Sequence, residues 1–138
     1  MTAKEYLKEI RVYARAIQRM KRRIKEMDED LYTIGGFDYS RDRVQNQVPG
    51  DLLSDKVIRL IELQKTYMKT VDTYYAGLIE RERQIMELPK PSHRQILVTL
   101  YVDGMSLSEA ANEIGLSYYR ACHVHGEALM EFSKKFLS

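Results

Sequence analysis

Cysteine occurs once, at Cys122, so no disulfide can form within the chain. Long apolar runs are also missing, and no segment reaches the length of a bilayer-spanning helix or a secretory signal core. Together these absences predict a soluble, intracellular protein with no membrane partner. Proline and glycine are scarce, three and seven in 138 residues. The first of either is Gly35, so nothing before it stops a helix. Histidine is absent before His93, and no glycine-rich phosphate loop or spaced set of metal ligands is present. The chain therefore reads as non-enzymatic, with no catalytic residues, no metal and no cofactor. Neither sign of charge dominates: 22 Lys and Arg against 20 Asp and Glu leave a net charge of +2.

Against these absences stands a strong helical periodicity. Tyr6, Leu7, Ile10, Tyr13, Ala14, Ile17, Met20, Ile24, Met27, Leu31 and Ile34 form one heptad-like stripe. A second stripe runs through Leu53, Val57, Leu60, Ile61, Gln64, Tyr67, Met68, Val71, Tyr74, Tyr75, Leu78, Ile85 and Leu88, and ends at Pro89. Two long amphipathic helices of this kind predict an antiparallel coiled-coil hairpin over residues 1–88, which is also a surface for homodimer formation. Residues 35–51 form the linker, too long for a simple turn, with Phe37 and Tyr39 as its anchors. Gly77, inside the second helix, marks a close approach or a bend. The basic run Arg15, Arg19, Lys21, Arg22, Arg23 and Lys25 is the largest charge concentration, read first as a solvated face and second as a contact to phosphates or an acidic partner. The tyrosines and methionines on the stripes read as core-edge and gap-filling residues.

The pattern changes after Pro89 and Pro91. Residues 92–102 predict a short helix with Ile96, Leu97, Leu100 and Tyr101 inward, stopped at Asp103-Gly104. The stretch SLSEAANEIGLSYYRACHVHGEAL, residues 106–129, then reads as a helix-turn-helix. Ser106 and Glu109 make a capping box. Ala110 and Ala111 allow close helix crossing, Ile114 and Leu116 bracket the turn, and Gly115 supplies a left-handed residue. Ser117 caps the second helix, the one that enters the major groove in such units. Placing Ala121, His125, Ala128, Leu129 and Phe132 on the buried face leaves Ser117, Tyr118, Tyr119, Arg120 and His123 as the candidate DNA-binding residues. Cys122, His123 and His125 are too close in sequence to close a tetrahedral metal site on one helix. From Pro89 onward, Lys90, Arg94, Arg120, Lys134 and Lys135 face an equal number of acids, Asp103, Glu109, Glu113, Glu127 and Glu131. That balance is poor for neutralising phosphates, and Glu127 is expected to face them.

The stretch LPKPSHRQILVTLYVDGMSLSEAANEIGLSYYRACHVHGEAL, residues 88–129, resembles region four of bacterial sigma factors. The whole chain is similar to phage-encoded regulators of the ArpU and RinA type, in which a segment like MTAKEYL and a linker like GGFDYSRDRVQ precede a sigma-like domain. It departs from the sigma pattern in having only Arg120 as a base in the first half of the recognition helix, and Ala121 in place of a larger apolar residue. The resemblance implies an all-α protein: the coiled-coil hairpin at 1–88, then a small sigma-like helix-turn-helix domain of about three to four helices at 89–138. It implies a transcriptional regulator of the late-gene activator class, binding double-stranded promoter DNA alone or beside bacterial RNA polymerase. The alternatives are a phage small terminase subunit that binds DNA for packaging, and a polymerase adaptor that does not read DNA.

Overall fold

The computed structural model describes residues 1–33 and 50–138, the first four of the second segment by their backbone alone. Among the described residues every regular element is helical, as expected. The helices are α1 (Ala3–Leu31), α2 (Gly50–Met86), α3 (Pro91–Leu97), α4 (Leu107–Ile114) and α5 (Tyr118–Phe136), with a π-helical turn at Val98–Val102 after α3. The predicted linker with Phe37 and Tyr39 lies outside the described residues, except for its last two positions, which belong to α2.

The chain divides into two compact units, and the division does not fall at 88/89. One unit comprises Met1–Arg15 with Tyr74–Ser138, the other Ala16–Thr73. The reason is a shared core. Ala3, Leu7 and Ile10 of α1, with Ile85 and Leu88 from the end of α2 and its exit, are buried in one cluster with Ile96, Leu97, Ala110, Ala121 and Phe132. Removing the C-terminal helices uncovers the apolar ends of α1 and α2, and the reverse holds equally.

In this first unit α1 begins on a capping box: Thr2 Oγ1 accepts from the Glu5 amide and the Glu5 carboxylate accepts from the Thr2 amide. Its first turns run antiparallel to the end of α2. Tyr6 donates to Gln84 (2.6 Å), Glu9 pairs with Arg81, and the Tyr13 ring stacks on Tyr74 at 5.2 Å. Arg81 holds this seam together. It donates to the carbonyls of Tyr6 and Gly77 as well as to Glu9, and its guanidinium lies 4.1 Å from the Tyr6 ring centre. Gly77 marks a close approach, since a Cβ there would come within 2.9 Å of Tyr13 Cε2. In the second unit Ile17, Met27 and Val71 are buried. Gln64, at a stripe position, is buried with its amide donating to Ile24 O and Asp28 Oδ1.

Residues 92–102 differ from a single regular helix. After Leu97 the backbone widens, with the Asp103 amide bonded back to Val98 O at 2.9 Å. The wider turn shifts the inward set. Ile96, Leu97 and Tyr101 are buried as expected, but Thr99 is buried as well, its hydroxyl donating to Gln95 O at 2.7 Å, whereas Leu100 is only partly covered. Arg11 of α1 closes the turn by donating to Val102 O.

Candidate nucleic-acid interface

Residues 106–129 fold as two helices joined by a tight turn, and each predicted local device is present. Ser106 Oγ accepts from the Glu109 amide and the Glu109 carboxylate accepts from the Ser106 amide, both at 3.2 Å. Those bonds hold the Glu109 carboxyl below its ordinary range. Gly115 ends α4 at φ 84°, ψ 30°, and no atom lies within 4 Å of where a Cβ would sit. Glycine is needed there for its backbone conformation, not for space. The amides of Gly115 and Leu116 both return to Ala111 O. Ser117 Oγ then accepts from the Arg120 amide at 3.1 Å and opens α5.

One face of α5 is sealed against α3 and α4: Ala121, Val124, Ala128 and Phe132 are buried. Val124 belongs to this face and was missed; His125, expected on it, is half-buried at its edge and meets the Tyr101 hydroxyl at 2.8 Å. Burial pushes the Tyr101 phenol up to about 12 and lowers His125, where Lys4 adds a smaller repulsion. Both shifts favour the uncharged forms, so the bond joins a neutral phenol to a neutral imidazole.

The opposite side of the first turn of α5 is open. Tyr118 is 57% exposed and Tyr119 83%, and Arg120 beside them is exposed too. Ser117 is spent on the cap. His123 is exposed but bonded to Glu127 one turn further on, at 2.9 Å. Glu127 in turn also lies 3.5 Å from His93 Nε2. The hydrogen bond with His93 chiefly, then the charges of His123 and Lys90, keep the Glu127 carboxyl below its ordinary range despite the opposing pull of desolvation. Glu127 is thus committed to α3 and to its own helix. His93 escaped the sequence reading; only 2% exposed, it sits three and four residues before Ile96 and Leu97, a helical spacing that marks it as inward.

The five basic residues beyond Pro89 are unequally available. Arg94 donates to the carbonyls of Leu88 and Pro89, and Lys135 to that of Glu87. Lys134 lies 3.9 Å from Glu131. Among the described residues no group of three or more His, Cys, Asp and Glu could hold a metal ion, and no helix is long and apolar enough to cross a membrane. Comparison with protein families, with curated proteins and with solved structures finds no match to this chain.

Proposed function

We propose that this protein is a non-enzymatic transcriptional regulator of the phage late-gene activator type, which binds double-stranded promoter DNA through α4 and α5. The observation that carries the reading is the pairing of a rigidly seated helix with a bare first turn. The buried face of α5 and the two caps fix its position, while Tyr118, Tyr119 and Arg120 project where the start of a recognition helix meets base edges and phosphates. Arg120 supplies a phosphate contact and the tyrosines supply flat surfaces and hydroxyls for the groove. The long helices serve as the homodimer surface. A dimer raises the effective concentration of the second domain at paired half-sites, which offsets the low positive charge of each.

The test is a gel-shift assay with the chain's own promoter region. Arg120→Ala weakens binding and lowers the dependence of log K on log salt by about one unit. If a variant with Tyr119, Arg120 and His123 all changed to Ala binds as tightly as the parent, α5 is not the reader. The commitment of Arg94 and Lys135 to backbone carbonyls favours a second reading, in which RNA polymerase holds the domain in place. Under that reading polymerase is retained on the immobilised protein without any promoter DNA.

A further inference from the structure

Arg19, Arg22 and Lys25 are exposed on α1, and among the described residues none of them meets a carboxylate. Of the acids that follow, Glu26 and Asp30 pair with Arg23 and Asp28 with the Gln64 amide, while Glu29, four residues beyond Lys25, is exposed and makes no ion pair among the described residues. On a helix turning about 100° per residue, Arg22 lies opposite the stripe of Ile17, Ile24 and Met27, with Arg19 and Lys25 about 60° to either side. Exposed Lys21 extends the same positive surface.

This arrangement works against the helix that carries it. Like charges three residues apart repel one another. The end of α1, where the helix dipole favours bases, holds Glu26, Asp28, Glu29 and Asp30, with no base in the last turn. Helix stability therefore does not account for the order of charges, whereas a polyanion does. An anionic lipid surface is disfavoured, because the apolar residues that would enter it, Ile17 and Met27, are already buried. The three cations span about 9 Å of helix, and phosphates along one strand of a duplex advance about 3.4 Å per step, so the row matches roughly three of them.

We infer that Arg19, Arg22 and Lys25 form a second, sequence-independent contact to the phosphate backbone of double-stranded DNA. The inference rests on the reading of the chain as a DNA-binding protein, and it supplies the cations that α3 to α5 lack.

The experiment titrates the full chain against a short random-sequence duplex and against polyglutamate over a salt series, read by fluorescence anisotropy. Arg19→Gln, Arg22→Gln and Lys25→Gln together lower the slope of log K against log salt by about two to three, leave the circular dichroism unchanged, and weaken binding to every duplex alike. Arg19→Lys with Arg22→Lys keeps the parental slope. An unchanged slope in the Gln variant, with the α5 variant impaired, overturns the inference and leaves the α5 reading standing. A reduced slope in the Gln variant, with the α5 variant behaving as the parent, does the opposite. Capture of polyglutamate in preference to the duplex assigns the row to an acidic protein partner and also overturns it.

Discussion

At the scale of single residues, Gly115 and His125 make the most direct tests of how α5 is held. Gly115 sits in the left-handed region with open space around it, so Gly115→Ala costs about 1 kcal/mol through backbone strain alone. Chemical denaturation reads that loss, and a larger residue at the site costs little more than alanine because nothing is there to clash. His125 gives a pH signature. Its pKa is lowered from 6.5 in the folded protein, chiefly by burial. The unfolded chain therefore takes up the proton first, and stability falls as pH drops below about 6.5. His125→Gln keeps a hydrogen-bond partner for the Tyr101 hydroxyl and flattens the melting temperature between about pH 7.5 and about 5.5. Glu109 and Glu127, both held below 4.5, add their own loss of stability at more acid pH.

At the scale of elements, the seam between the start of α1 and the end of α2 depends on one cation. The Arg81 side chain is 12% exposed and Glu9 28%, and Arg81 bridges two carbonyls, a carboxylate and two tyrosine rings. Arg81→Ala leaves the Glu9 carboxylate with the Tyr13 hydroxyl as its remaining partner, uncovers both tyrosine rings and costs about 2 kcal/mol, discounted for the solvent that reaches Glu9. The same network raises the Tyr13 phenol, first through its bond to Glu9. Urea titration of Arg81→Ala and Glu9→Gln, separately and together, shows less than additive losses if the pair acts as a unit. Seating of α5 is tested the same way. Ser117→Ala removes the cap to the Arg120 amide and costs about 1 kcal/mol.

At the scale of the molecule, the shared core predicts that residues 89–138 do not fold by themselves. That fragment lacks Ala3, Leu7, Ile10, Ile85 and Leu88, which are buried with it in the whole chain. Circular dichroism of the fragment shows no cooperative melt, and a chain joining residues 1–15 and 74–138 by a short linker restores one. Cooperative unfolding of 89–138 alone sinks this prediction. The consequence for testing the proposed DNA binding is practical, since an α5 that depends on α1 and α2 for its support has to be studied in the full protein. Light scattering of that protein separates a dimer from the ring of subunits that a packaging terminase builds.

The sequence by itself determined the all-helical class, the capping box at Ser106 and Glu109, the left-handed Gly115, the cap at Ser117 and the open faces of Tyr118 to Arg120. These are decided by the nearest few residues along the chain, where spacing, backbone preference and side-chain reach act together. What only the tertiary structure decided involves partners far apart in sequence. The stripes of α1 and α2 were legible as apolar faces, but periodicity says nothing of what covers a face, so the union of Leu7 and Leu88 with Phe132 was hidden behind the turn-rich break at Pro89. The π-helical turn that buries Thr99 carries no proline or glycine in 98–102 to announce it. His93 and Glu127 lie 34 positions apart, and a charge on a helix face reads as solvated until the helix opposite it is in place. Local signals wrote the elements; burial across long separations, which depends on summed apolar area and not on any single residue, chose how they were joined.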